Sequence, residues 1–485
     1  MLSKQSPVTL VELPATQFGE LNGDSSYDVY SMFGLPSRAI HTLEAVLRQE
    51  GWSNVQCINP LYHGKKGKLT KENEERIKKS AVLGISAITR TSPQSMALAQ
   101  QYKQANPHGI VIAGGFDPMA RPAAWLEQGA DIVGIGEGER TLVELMARLE
   151  QDQYVADIHG IAYRNGKSLT ITPPRQLLSA AELGEIPHPH YDAMVRKKVN
   201  VGVIESSRGC PHDCDFCSVT QAYGREYRTK PTEYVLEGLR DIEDMGKTVF
   251  FADDNLAGSP KRTIALLESM AAEGLPRKNA TAQVTVWAAK NPALLQAMKK
   301  AGITLLCIGI ESIFDESLDS LGKPYNAAQN KESIKLLREE GFWVHGMMMP
   351  GAEGDTKERL KETSHWINEN LDSVQLFPPT PIPGTRLFKR MEEEGRILTH
   401  DYSLYDGQNV LIRPSHMTPY DLQLTINQMY LSFYSAPRSI RRIASSSHKK
   451  TALGIFFYTT FLGGIRKVLD SPQSLRHLEF LKSIS

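Results

Sequence analysis

The chain runs twice through one rhythm, a short apolar segment rich in β-branched residues and then an amphipathic stretch, which confines it to α/β folds with parallel strands. In the first series Val8–Leu13, Val55–Ile58, Ala81–Ser86, Ile110–Ala113 and Ile132–Ile135 read as strands. Helices are predicted over Ser37–Glu50, Ser95–Gln104, Pro122–Gln128 and Arg140–Gln151, the first stopped by Gly51. Buried strands alternating with helices predict a doubly wound, Rossmann-like sheet over residues 1–155. Ligands bind such sheets at the carboxyl ends of the strands, which here carry Ser86 and Thr89, Gly114-Gly115, and Gly134-Ile135-Gly136-Glu137-Gly138. That glycine run lacks the G-x-G-x-x-G spacing and closes the sheet, so it argues poorly for a dinucleotide site.

A connector over 156–195 contains a hairpin signal, Asn165-Gly166, and the extended stretches Thr172-Pro173-Pro174 and Ile186-Pro187-His188-Pro189-His190. The second series, 196–395, predicts strands at Val201–Glu205, Thr248–Phe251, Thr281–Val286, Thr304–Ile310, Val344–Met349 and Val374–Phe377. Helices are predicted over Pro231–Met245, Lys261–Glu273, Pro292–Ala301, Ala327–Glu340 and Thr356–Asn370. Six strand–helix units without a seventh or eighth predict an open, partial (β/α)6 relative of the TIM barrel, with chemistry on the loops after the strands. Residues 396–485 are helical by pattern.

Directly after the first barrel strand stand Cys210, Cys214 and Cys217, spaced C-x3-C-x2-C. A cubane iron–sulfur cluster offers four irons, so three thiolates leave one iron open to another ligand. A zinc site lacking its fourth ligand is the alternative, and His212 sits too close to Cys210 to complete a tetrahedron easily. Five cysteines, three of them clustered, suit a reducing compartment and metal ligation rather than disulfides, with Cys57 and Cys307 expected as small core residues. Formal charge balances at 55 basic against 55 acidic residues, which argues against a nucleic-acid partner. Met1–Val8 is polar and lacks the apolar core of a signal peptide, so a cytoplasmic location is expected.

With Phe216 as the aromatic, C-x3-C-x-aromatic-C resembles the cluster motif of radical S-adenosylmethionine (SAM) enzymes. The resemblance implies a [4Fe-4S] cluster whose open iron chelates the amino and carboxylate groups of SAM and whose electron yields a 5′-deoxyadenosyl radical. It implies an external one-electron reductant of flavodoxin or ferredoxin type. It makes Asp253 and Asp254, at the end of the second barrel strand, candidates for the SAM amino group. Either Asp254 or Asn255 could instead cap the next helix. Glu311 and Ser312, ending the fourth strand, are placed near the ribose, and Gly346 and Pro350-Gly351 near the adenine. Gln283 and Thr285 would line the barrel, and Pro378–Thr385 would shape the pocket. Arg225 and Arg228 read either as anion ligands or, by default, as solvated cations.

Val111–Gly115 and Gly129 through Glu139 resemble the cobalamin-binding domain that precedes many radical SAM domains, which makes Ser86, Gly114 and Gly115 candidate cobalamin contacts. The axial-histidine motif D-x-H-x-x-G is absent from the first strand–helix loop, Pro14–Pro36; His63 could replace it or be a surface-loop histidine. A sheet that kept the fold and lost the cofactor is the alternative. The tail adds no cysteine, unlike relatives with extra clusters. Its uncharged run Thr451–Ile465, flanked by Arg438, Arg441, Arg442, Lys449, Lys450, Arg466 and Lys467, is shorter than the ~20 residues of a membrane span. It reads equally as a peripheral membrane contact or as a buried helix. The combined resemblance implies a cobalamin-dependent enzyme that methylates an unactivated carbon of a small-molecule or lipid-like substrate. Radical cyclisation or carbon–carbon coupling, and a non-enzymatic iron–sulfur sensor, are the rivals.

Overall fold

The computed structural model describes residues 2–14, 35–65, 67–461 and 463–485, and its two strand series form two separate sheets. The N-terminal sheet has the order β2-β1-β3-β4-β5-β6-β7. Its strands are β1 (Val8–Glu12), β2 (Val55–Ile58), β3 (Val82–Ser86), β4 (Ile110–Gly114), β5 (Ile132–Gly134), β6 (Ile161–Asn165) and β7 (Ser168–Ile171). The first five are parallel; β6 and β7 add an antiparallel hairpin that turns at Asn165-Gly166, where that dipeptide signalled one. Val8, Leu10 and Ile112 are buried on one face with Ile40, Leu142 and Leu145, while Val11, Leu83 and Val111 are buried on the other with Leu98 and Trp125. Apolar residues at successive positions are thus explained by helices on both faces. Because β1 lies between β2 and β3, the loops after β1 and β3 part to opposite sides and open a crevice at the carboxyl edge. Most of Pro14–Pro36, the loop after β1, lies outside the described residues.

The second sheet is all parallel, with the order β15-β14-β13-β12-β11-β8. Its strands are β8 (Val201–Ile204), β11 (Thr248–Phe251), β12 (Ala280–Val284), β13 (Ile303–Glu311), β14 (Trp343–Met348) and β15 (Ser373–Leu376). Two further strands, β9 (Ser207–Arg208) and β10 (Arg228–Thr229), pair as a short antiparallel ribbon beside it. Sequential strands are spatial neighbours, as a partial barrel requires. Ala282, Val284, Leu306, Ile308, Val344 and Leu376 are sealed under the outer helices in one large core. The alternating residues Gln283, Leu305, Cys307, His345, Met347 and Gln375 face the other way and stay partly accessible. The lumen is therefore lined but not filled. Cys57 is a core residue, its thiol donating to the Ile40 carbonyl at 3.2 Å. Cys307 is not: strand alternation turns it into the lumen, where burial holds its thiol up at about 12.

The open edge at β15 is covered by the helix Pro419–Phe433 and the residue that caps it. Tyr434 Oη accepts from the Val374 N–H at 3.0 Å and donates to its carbonyl at 2.9 Å. Tyr430 does the same for Leu376, at 2.7 and 3.3 Å. Four residues of helix rise about 6 Å and two residues of strand about 6.6 Å, so the phenols keep step with the unpaired backbone groups. Tyr434→Phe should leave two buried backbone groups unpaired, cost about 1–3 kcal/mol, and appear as faster hydrogen exchange at the Val374 amide.

The tail run Thr451–Ile465 is broken into a helix Lys449–Phe456, a π-helical turn Phe457–Phe461 and a helix Gly464–Leu469, entered through Gly463 at φ +65°. No described helix is long and apolar enough to cross a membrane.

Candidate functional site

The cysteine loop is fixed from both ends. Where it begins, Asp253 at the end of β11 accepts from the Ser206 N–H (3.1 Å), from Ser206 Oγ (2.7 Å) and from Ser207 Oγ. Gly209 then turns the chain at φ +87°, in a place where a Cβ would collide with the Glu226 carbonyl. On the far side Asp215 N–H donates to the Leu321 carbonyl at 3.2 Å and Leu387 N–H to the Asp215 carbonyl at 3.0 Å. Arg386 reaches Asp213 (2.8 Å) and Asp215 (2.9 Å), and Arg390 reaches Asp215 (2.7 Å). No local motif marked these two arginines.

Within this frame Cys210, Cys214 and Cys217 are partly buried and near enough that Cys214 acts electrostatically on both others. Burial pushes all three thiols up, Cys217 to about 11, so iron must displace their protons on binding. Phe216 packs against Leu321 and Met349 on one side and Leu387 and Met391 on the other. It is a spacer between the barrel mouth and the C-terminal region.

The two aspartates separate. Both oxygens of Asp253 are engaged by the serines, so it shapes the loop rather than facing the mouth. Asp254 faces Cys210 and Cys217, and burial, with Asp253 and Glu205 nearby, raises its carboxyl to about 7. A half-buried carboxyl with the Gly209 N–H and the field of Arg208 too weak to offset its burial suits an ammonium ligand. Neither Asp254 nor Asn255 caps the following helix; Ser259 takes that position, and Asn255 Oδ1 accepts from the Ala257 N–H.

Glu311 sits at φ +61° where the register between β13 and β14 slips. A left-handed glutamate at a strand end is strained backbone of the kind held at functional sites. It turns the carboxylate to Lys323 Nζ, 2.8 Å away, with both side chains 9% exposed. Burial opposes the charge on Lys323, but Glu311 and the neighbouring Tyr325 and Cys214 outweigh it and hold the ammonium well above its usual range. Lys323 also lies 5.2 Å from the centre of the Phe216 ring. Sequence reasoning missed this lysine, which no motif distinguishes. Ser312 is buried, and its Oγ accepts from the Phe314 N–H, which helps form the turn after β13. Gly346 is outward-facing: a Cβ there would meet Leu371, so it serves helix packing rather than an adenine. Across the mouth, His212 meets Trp287 edge-on at 5.0 Å, and Trp287 meets Tyr325 at 6.4 Å.

At the carboxyl edge of the N-terminal sheet, Gly115 (φ +102°) lets two loops meet, since a Cβ would collide with the Ala87 carbonyl. A Cβ on Gly114 or Gly136 would meet nothing within 4 Å, so open space lies above β4 and β5. Ser86 ends β3 beside it. These small residues leave the edge open to a ligand approaching the backbone. His63 is not a surface-loop residue: its Nδ1 accepts from Asn59 N–H at 3.0 Å and its Nε2 meets Asp192 at 2.8 Å, which leaves no free nitrogen for a metal. Arg228 is not solvated either; it is buried against Glu137, whereas Arg225 is exposed.

The profile of the Radical SAM superfamily matches residues 204–367, and that of the B12 binding domain matches residues 32–146. The chain carries a radical SAM domain and a B12-binding domain. The cysteine loop lies within the first of these matches, and Gly114, Gly115 and the glycine run after β5 lie within the second. The chain is 28% identical over 368 residues to an uncharacterized methyltransferase of Pyrococcus horikoshii, covering 74% of this chain and 79% of that one. It is 27% identical over 377 residues to the anaerobic magnesium-protoporphyrin IX monomethyl ester cyclase of Cereibacter sphaeroides, covering 72% of this chain and 60% of that one. Among solved structures, the cobalamin-dependent SAM radical enzyme OxsB, with aqua-cobalamin and SAM bound, superposes with a TM-score of 0.71 at 17% identity, over 99% of this chain and 75% of that one.

Proposed function

We propose that this radical SAM enzyme methylates an unactivated carbon of a small or lipid-like molecule, drawing its electron from an external flavodoxin- or ferredoxin-type donor. The observation that carries this reading is contact between the two cofactor loops. Glu137 and Glu139, at the start of the helix that follows β5 in the N-terminal sheet, meet Arg208, two residues before Cys210, at 3.1 and 2.6 Å. A methyl carrier on one loop and a radical source on the other would share one chamber. Bound there, the cluster with SAM supplies a carbon-centred radical and cobalamin a methyl carrier.

The chain's own residues would do the positioning. Cys210, Cys214 and Cys217 ligate iron, Asp254 accepts from the SAM amino group, and Glu311 accepts from the ribose hydroxyls. Ser86, Gly114 and Gly115 border the corrin. Gln283, Gln375 and His345 beside Leu305 and Met347 give the lumen mixed polarity, suited to a substrate with one polar end. Ile440, Leu453 and Phe457 are exposed in the same tail segment as the exposed cations Arg438, Arg441, Lys449 and Lys450, a composition suited to an anionic lipid surface. The segment lies beside Gly341, which accepts from His448 Nε2 at 2.7 Å, at the amino-terminal ends of the strands. Lipid contact there would leave the cysteine mouth turned away from the membrane.

The test is anaerobic turnover of reduced enzyme on small-molecule extract, with methyl-labelled SAM. Label in an extract product is expected. 5′-Deoxyadenosine with an unlabelled product would instead establish cyclisation or coupling. An intact cluster that yields no 5′-deoxyadenosine would sink the enzyme reading altogether. Protein from cobalamin-supplied cells should also show corrinoid absorption bands, and a cluster spectrum without them would remove the methyl carrier.

A further inference from the structure

The ribbon that closes the base of the cysteine loop contains a conflict. Arg208 on β9 and Arg228 on β10 are directly opposite partners, and like charges across an antiparallel pair repel. Both are buried, at 8% and 2% side-chain exposure, so water screens them little. The conflict is resolved from the other domain. Glu137 Oε1 takes Arg208 Nη1 at 3.1 Å and Arg228 Nη1 at 3.0 Å, and its Oε2 takes Arg228 again at 3.0 Å and the Leu178 N–H at 2.7 Å. Around it, Arg38, Arg208, Arg228 and Lys230 face Glu137, Glu139 and Glu205, four cations against three carboxylates. Removing Glu137 leaves four against two.

The geometry points to Glu137 as a positioning residue for the iron–sulfur cluster, acting from the cobalamin domain by bridging the two arginines that clamp the ends of the cysteine loop. Arg208 stands two residues before Cys210 and Arg228 eleven after Cys217. If the ribbon splays, the three thiols lose their common centre. Glu137 belongs to the glycine loop beside the corrin cradle, so a simple cobalamin contact is the competing role, and the two are separable by rescue.

The experiment is anaerobic reconstitution of the full-length protein, with iron and sulfide content and the electron paramagnetic resonance spectrum of the reduced cluster as readouts. Wild type should load about four irons per chain; a wild type that does not would overturn the cluster reading itself rather than this inference. Glu137→Gln should lose at least about half of that iron, because a buried charge is left unpaired. Glu137→Gln/Arg228→Met, which removes the opposing cation as well, should recover most of it. A mere cobalamin contact would not be restored by a change at Arg228. Wild-type iron content and spectrum in Glu137→Gln would overturn the inference. Should that variant lose its fold, the double variant decides: loaded with cluster it supports the inference, and folded but iron-free it refutes it.

Discussion

Cys214→Ala is expected to abolish both the cluster and SAM cleavage, with iron falling from about four per chain to background. Two thiolates cannot hold a cubane on which one iron is already without a protein ligand, and Asp254, the carboxyl facing Cys210 and Cys217, is a hard oxygen donor ill-suited to replace a thiolate. His212 is turned against Trp287. Cys307 belongs to the lumen wall, and burial keeps it protonated up to about 12, so it offers no thiolate near neutral pH. Cys307→Ala should therefore retain full iron, which makes it the matched control. Asp213 and Asp215 are committed to Arg386 and Arg390. Iron analysis and 5′-deoxyadenosine formation under dithionite check the pair of variants. Substantial 5′-deoxyadenosine from the Cys214 variant would mean that the trio is not the cluster site.

Much of this architecture was legible because each strand carries its own signal. β-Branched runs such as Ile110–Gly114 and Thr248–Phe251 state their conformation locally, and C-x3-C-x-Phe-C gathers three soft ligands in one loop, whose cluster is what the family resemblance implies. What stayed hidden depends on partners distant in sequence. Nothing local to Asp253 or Asp254 says which one the serines of another strand end will occupy. Ser312 carries no local sign that its oxygen also accepts from the Phe314 N–H in the turn after β13. Gly346 invites a ligand by its size, but the alternation of β14 turns it to Leu371. Arg228 reads as a solvated cation because Glu137 is 91 positions away, in another domain. Lys323 carries no motif, and only the bend at Glu311 makes it a partner.

That bend underlies the second large effect. Glu311→Gln should weaken SAM binding about 10- to 100-fold, the loss of a charge-assisted hydrogen bond worth about 1.5–3 kcal/mol. It should also destabilise the fold, because breaking a buried pair costs about 3–5 kcal/mol by stranding the other charge, here Lys323. Lys323→Met should strand Glu311 in the same way, so the double variant Glu311→Gln/Lys323→Met is expected to be more stable than either single one. That non-additivity is the signature of direct coupling. Backbone strain is read separately, by comparing Glu311→Ala with Glu311→Gly. Both lose the carboxylate, but only glycine tolerates φ +61° without penalty, so the glycine variant should be the more stable by about 1 kcal/mol. Equilibrium dialysis of labelled SAM against reconstituted protein, with denaturant melts of each of the five variants, measures these effects. If Glu311→Gln binds SAM as tightly as wild type, the carboxylate serves the fold alone. If the double variant is merely additive, Lys323 and Glu311 act apart, and the strain at Glu311 requires another cause.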